Sequence, residues 1–415
     1  MESTTVKKKT ERILNQGYVC DHCLGRQFGQ ILTGYTNDER GRIIRSFIAF
    51  SLDAGEKLNV KDVNFNDFNF REYDLNAEEE EFCIVCNNFF EGQIEFFVDE
   101  AEEKLDDLEY DNFLVGTKMM PELIKNEEEL WEKVGIEYCE PMKSEINREV
   151  GRRLEEKLNK EANFKRPDVV VMLDLENQKV DVSINSMCFY AEYNKLVRGI
   201  PQTKWPSGKF KTSIEEIIAE PFMEITEGSG HKFHGCGRED IDALCEGKRP
   251  FILEILEPKN RELDLEEIGK EVNKNEEVEI FSLKEVEPNR IEDVKSWRPD
   301  KTYEVLVETE DDVEEKDLER LNNLVGKINQ ETPNRVLHRR SDRLRKREVK
   351  SIKWEKISDK KLKLTIKAEA GTYIKELVSG DKGRTYPSAK EMLKTECEPK
   401  DLIVKYVHVD DEKKL

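Results

Sequence analysis

Two cysteine pairs constrain this chain more than any other feature: Cys20-x-x-Cys23 and Cys83-x-x-Cys86. Each pair presents two sulfurs from one tight turn, and two such turns supply the four thiolates of a tetrahedral zinc site. Knuckles this far apart make the intervening chain a small domain clipped at its base. With four protein ligands no coordination position stays open, so a metal here stabilises the fold and does no chemistry. The plain alternative is four independent thiols, which leaves the repeated spacing unexplained. His22 lies inside the first knuckle and reads as a bystander. Cys139, Cys188, Cys236, Cys245 and Cys397 have no partner at ligand spacing and read as core or strand residues. An odd total of 9 cysteines, spread along the chain, argues against a disulfide scaffold and for a reduced, cytoplasmic setting.

The charge balance limits the partners. Lys+Arg 68 against Asp+Glu 90 gives a net charge of −22, unlike a generic nucleic-acid coat protein. Any polyanion site must then be a local basic patch on an acidic body, and the excess of carboxylates suits saline surroundings. No stretch approaches the roughly 18 apolar residues of a membrane span. The start, Met1 to Lys9, has no apolar h-region, so neither a membrane role nor a secretory signal is expected.

A length of 415 residues points to two or three domains. Residues 1–55 read as mostly helical, and 60–75 as short strands and turns. Ile94–Val98 is β-prone; Asp99–Glu109 and Pro121–Val134 are helical in composition. Ile146, Val150, Leu154 and Leu158 recur every four residues and mark one helix over Lys143–Leu158. Val169–Leu175, Lys179–Ile184 and Met187–Tyr190 read as strands. Pro, Gly, Lys and Trp then replace the regular elements over Pro201–Gly208, which puts a domain boundary at 200/201. Beyond it, expected strands at Phe251–Leu256, Tyr303–Val307, Val349–Trp354 and Leu362–Ala368 alternate with expected helices at Ile214–Ala219 and Asp317–Ile328. The fold class is α+β.

Three further constellations carry chemistry. Gly237-Arg238-Glu239-Asp240-Ile241-Asp242 is a glycine turn with one cation among three carboxylates, and an oriented, ionised aspartate can act as a nucleophile. A salt-bridged surface turn would look the same. Gly371-Thr372-Tyr373-Ile374-Lys375 follows a strand and reads as a turn leading into a helix; simple capping is the plain alternative. Two basic stretches stand out against the acidic background. Arg335, Arg339, Arg340, Arg343, Arg345, Lys346 and Arg347 face the single Asp342. Lys195, Arg198, Lys204, Lys209 and Lys211 surround Trp205 with no acid among them.

Taken in order, CDHCLGRQFG, YNKLVRGIPQTKWP, GREDIDALCEGKRPFILEI, ETPNRVLHRRSDR and EAGTYIKELVSGDKGRTYPS run over more than 300 residues. With them the chain resembles the archaeal and eukaryotic tRNA pseudouridine synthases that act on uridines 54 and 55 of the T-arm. The resemblance implies a zinc-bearing accessory region over 1–75, with its second knuckle at 83–86. It implies a THUMP-like RNA-binding domain over 76–200 and a catalytic domain of the mixed, bifurcated pseudouridine synthase sheet over 201–415. It places the nucleophile on Asp240 and a base-stacking tyrosine on Tyr303, within Lys301-Thr302-Tyr303-Glu304-Val305-Leu306-Val307. Tyr373, Lys375 and Arg238 then join the substrate site, with Lys375 or Arg238 as the cation beside the aspartate. Arg335, Arg339, Arg340, Arg343, Lys195, Arg198 and Lys204 are expected to hold the RNA. The implied needs are structural zinc, no organic cofactor and tRNA as partner, with no obligate protein partner. Trp205-Pro206-Ser207-Gly208 runs straight on without the cysteine-rich insertion of many relatives, so no second metal site is expected. The runner-up reading is a non-catalytic tRNA-binding or chaperone protein of the same fold, but Asp240, Tyr303, Tyr373 and Lys375 are all retained.

Overall fold

The computed structural model describes residues 6–76, 82–338 and 340–410. The chain divides into two compact units, Met1–Asn185 and Ser186–Leu415.

In the first unit, three helices, Val6–Leu14, Asp21–Gly25 and Asn37–Asp53, precede a four-stranded sheet. Its strands are β1 Asn112–Lys118, β2 Glu161–Ala162, β3 Val169–Asp174 and β4 Lys179–Ile184, in the order β2-β1-β3-β4. β1 runs parallel to β2 and β3, and β4 closes the edge antiparallel. Helices Gln93–Leu105 and Met142–Leu158 pack on each other and on this sheet. Ile146, Val150 and Leu154 are fully buried, as their four-residue spacing predicts. The β-prone reading of Ile94–Val98 fails. Ile94, Phe97, Val98, Ala101 and Leu105 are the buried stripe of the helix Gln93–Leu105, so helical periodicity outweighs local β propensity there. The expected strands at 60–75 are also absent: among the described residues that segment forms one 3-10 turn, Asp62–Phe65.

The second unit is one large sheet. Its strands are β5 Met187–Lys195, β6 Gly230–Gly235, β7 Leu244–Leu256, β8 Val278–Glu285, β9 Asp300–Thr309, β10 Gly326–Gln330, β11 Arg345–Ser358, β12 Lys361–Ala368, β13 Thr385–Tyr386 and β14 Cys397–His408. The order is β13-β10-β11-β12-β9-β14-β7-β5-β8, with β6 branching off β7. Every pairing is antiparallel except β14 with β7, at Ile403↔Leu244 and Val404↔Cys245. This parallel joint unites two antiparallel halves. β7 begins against β14 and ends against β6, so the sheet forks there and the turn between β6 and β7 lies at the fork.

Two sequence expectations are corrected here. The change of unit comes at Asn185/Ser186 rather than at 200/201, because β5 is a buried strand between β7 and β8 and belongs to the second sheet. The helix expected over Asp317–Ile328 ends by Leu324, after which Ile328 sits buried in β10.

Candidate functional site

The turn between β6 and β7 carries Gly237-Arg238-Glu239-Asp240, and what lies behind it fixes its shape. Glu239 turns inward to pair with Arg249 of β7 at 2.9 Å, with both side chains about 1% exposed. The Tyr193 hydroxyl donates to the same carboxylate at 2.9 Å, and Gln202 Nε2 reaches both Tyr193 Oη, at 2.8 Å, and the Gly237 carbonyl, at 3.0 Å. Arg249 also donates to the Cys236 carbonyl at 3.1 Å. Gly237 adopts a φ of +76°, a left-handed conformation that favours glycine. Asp240, the next residue but two, is therefore presented from a rigid base.

Asp240 points into a cavity of about 680 Å³. Arg335 grips its carboxylate with two nitrogens, at 3.0 and 3.1 Å, and donates to Glu376 at 2.7 Å through a third. Lys375 Nζ lies 3.7 Å from Asp240 and is held by Asp242 at 2.6 Å. Burial pushes the Asp242 carboxyl up, but the Lys375 bond outweighs it and leaves it below its ordinary value. The floor is β9. Tyr303 is 8% exposed and lines the cavity, and burial pushes its phenol up to about 12. Tyr373 caps the helix Ile374–Ser379 from a turn that begins at Gly371, where φ is +81°. Gln330 of β10 pins both backbone groups of Tyr373 at 2.9 Å, and Arg340 donates to its hydroxyl at 3.0 Å.

The residues singled out in the sequence thus converge in part. Asp240, Arg238, Tyr303, Tyr373, Arg335 and Arg340 line one cavity, with Lys375 alongside. Three assignments change. The cation on Asp240 is Arg335, supported by Lys375, whereas Arg238 is exposed at the rim. Arg335 therefore does not lie free for RNA phosphates. Lys195 is wholly buried, and its ammonium donates to the Ile241 carbonyl at 2.7 Å and reaches that of Asp240 at 3.4 Å, so it anchors the turn from behind and cannot meet a phosphate. Burial lowers its pKa. Arg198 and Lys204 are exposed and pair with Asp401 at 3.5 Å and Glu216 at 3.2 Å. Arg343 is exposed beside the cavity-lining arginines, and Arg339 lies outside the described residues.

Sequence reasoning missed Arg249, Gln330 and the segment Lys295, Trp297, Arg298, several of which line the same cavity, and it named Lys301 only as part of the motif with Tyr303, without a role. Signals existed. Arg249 directly precedes the apolar run at 250–253, and Lys301 lies two residues before Tyr303, hence on the same strand face.

The four cysteines of the two knuckles meet in the first unit. All are buried, and their sulfurs lie within 4.8 Å of one another, with Cys20 Sγ 3.6 Å from Cys86 Sγ. Zn–S bonds of about 2.3 Å in a tetrahedron place sulfurs roughly 3.8 Å apart, so the donor set fits zinc in type and spacing. Backbone N–H groups of Cys20 and Cys23 point at Cys83 and Cys20 sulfurs, at 3.3 and 3.5 Å. The fully buried Arg26, ion-paired to Glu127 at 3.1 Å, is a cation close to Cys23 and Cys86. His22 stacks on Phe90 and bonds Glu145, outside the sulfur set.

Comparison with known proteins gives the family. Residues 189–409, which hold the forked sheet and its cavity, match the family described as Pus10, C-terminal. Residues 97–174, which include β1 to β3, match the archaeal Pus10 THUMP domain. The tRNA pseudouridine synthase Pus10 of Methanothrix thermoacetophila is 39% identical over 95% of this chain and 92% of its own length. That of Pyrococcus furiosus is 36% identical over 96% and 97%. That of Methanothermobacter marburgensis is 39% identical over 94% and 95%. A match that spans both units at this level leaves one conclusion: the chain belongs to the Pus10 family of tRNA pseudouridine synthases.

Proposed function

We propose that this protein isomerises uridine to pseudouridine at position 54, position 55 or both in the T-arm of tRNA, with Asp240 as the nucleophile. The observation that carries the reading is a carboxylate, clasped by Arg335 and Lys375, facing a cation-rich cavity floored by Tyr303. The reaction breaks the C1′–N1 bond, turns the uracil and joins C5 to C1′; C5 gives up a proton and N1 gains one. No redox equivalent or external group is consumed, so no organic cofactor is required. The uridine has to leave its stack, at a cost of a few kcal/mol. Tyr303 offers a ring that returns part of it, since stacking on an aromatic side chain is worth about 1–3 kcal/mol per base. Arg340, Arg343 and Arg345 take the neighbouring phosphates, Tyr373 and Arg238 border the flipped nucleotide, and the THUMP segment adds RNA contact. Zinc on the four cysteines holds the first unit together and touches no substrate. The cytoplasm, where tRNA is met, is the setting of this reading. The test is to map pseudouridine in T-arm transcripts treated with pure protein. Wild type forms it at 54, 55 or both. Asp240→Asn binds the transcript with unchanged affinity and forms none under single-turnover conditions, because an amide is no nucleophile. Product from the Asn variant would refute the role of Asp240.

A further inference from the structure

Lys301 lies on the floor of the same cavity. β-strand alternation puts its side chain on the face that carries Tyr303. It is 6% exposed and lines the cavity, yet among the described residues its ammonium has no carboxylate or carbonyl oxygen at bonding distance. The flanking strands offer none, since Ala368 of β12 and Val407 of β14 stand at its register. Of the titratable groups around it, Arg249 and Cys245 come from β7, and Cys236 and Glu239 from the turn after β6; Asp240, Lys295, Arg298 and Tyr303 line the same cavity. Glu239 is already engaged by Arg249 and Tyr193. A Cβ added to Gly237 would fall 3.0 Å from the Lys301 nitrogen, so the turn that carries Asp240 closes directly over it. Burial, reinforced by the like charge of Arg249, pushes the Lys301 pKa down to about 8.

A buried ammonium without a counterion is costly, and such costs gather at sites that await an anion. Accepting the proposed reaction, that anion is made there. We propose that Lys301 is the cation that holds a uracil carbonyl oxygen as the ring leaves C1′ with the bonding electrons. The pair that left with N1 spreads its charge over N1, O2 and O4. Lys301 donates a hydrogen bond to one of these oxygens and keeps its proton. The Asp240 carboxylate bonds C1′ as N1 departs and is displaced when C5 joins C1′; loss of the C5 proton and protonation of N1 then complete the product. A fixed charge aimed at developing charge in a water-poor floor needs no reorganisation when the bond breaks. Phosphates belong instead to the more exposed Arg340 and Arg345.

The test uses full-length protein and a T-arm transcript, with Lys301→Met and Lys301→Gln. Dissociation constant, its salt slope, melting temperature and single-turnover kcat/KM are measured from about pH 6 to about pH 9.5. Wild-type kcat/KM is expected to fall as pH rises through about 8, because the neutral amine carries no charge. The variants should lose about 10²-fold or more in rate and lose that alkaline limb. Affinity, salt slope and melting temperature should not fall, since only an unpaired charge is removed. Variants with wild-type rate and limb would overturn the proposal. So would a salt slope reduced by about 0.7, which marks a phosphate ligand, or a collapse of melting temperature in both variants, which marks a structural lysine. Wild type that forms no pseudouridine at all would instead refute the underlying reaction.

Discussion

Side chains behind Asp240 matter as much as those around it. The carboxylate itself is visible in the GRED motif, but its direction is set by Glu239, Arg249, Tyr193, Gln202 and Lys195. Lys195 gives the most direct test. Its ammonium holds the carbonyls of Ile241 and Asp240, and the Gly199 amide shares the Ile241 carbonyl at 2.9 Å. Lys195→Met removes a hydrogen bond from a charged donor, worth about 1.5–3 kcal/mol. The turn stays attached through Gly199 and Gln202 but loses its fixed aim. kcat should fall about 10-fold to 10²-fold while KM for tRNA stays near wild type, since misplacing a reacting group costs rate rather than binding. An equal rise in KM with unchanged kcat would assign Lys195 to RNA binding after all.

At the scale of elements, the zinc knuckles illustrate closure by chemistry. The helix Asp21–Gly25 begins at Cys20, and Cys23 lies within it, so the first knuckle is also a helix start. The four cysteines belong to one continuous core with Val19, Leu24, Phe89 and Phe97. Metal binding and burial of this core are therefore one event. Purified protein should contain about one zinc per chain. A Cys20→Ser, Cys83→Ser variant should lose it, and the first unit should then melt at a lower temperature than the second by calorimetry. Zinc content equal to wild type would mean other ligands. In the second unit, β7 plays the matching part. It binds β14 with its start and β6 with its end, and the fork opens the space in which Asp240 stands.

The whole molecule combines an acidic body with a basic cavity, and the two respond to salt in opposite directions. At a net charge of −22, self-repulsion opposes folding, and ions screen it. Melting temperature should rise with added KCl. tRNA affinity should fall over the same range, because each phosphate contact releases a counterion and contributes about 0.7–0.9 to the slope of log affinity against log salt. Arg340→Gln with Arg343→Gln should flatten that slope by up to two such contacts and leave the rise in melting temperature in place. A slope equal to wild type would mean that these arginines serve only the fold. No helix among the described residues is long and apolar enough to cross a membrane.

Legible from residue order alone were the knuckles, the helices Pro121–Val134 and Met142–Leu158, and the strands of the second sheet whose alternation is regular, such as β9 and β12. These features are local: spacing within one turn or one face carries them. Motif order also identified the family. The tertiary structure alone decided which cation meets Asp240. Arg335 stands 95 residues further along the chain, in a stretch whose charge reads equally well as RNA-binding. It likewise decided that Lys195, which the sequence groups with a basic stretch, is sealed inside, and that Lys301 is buried on the cavity floor with no carboxylate paired to it among the described residues. Charge type and density are written in sequence. Burial and pairing of a charge depend on strands brought together from distant segments, and only the folded sheet sets those.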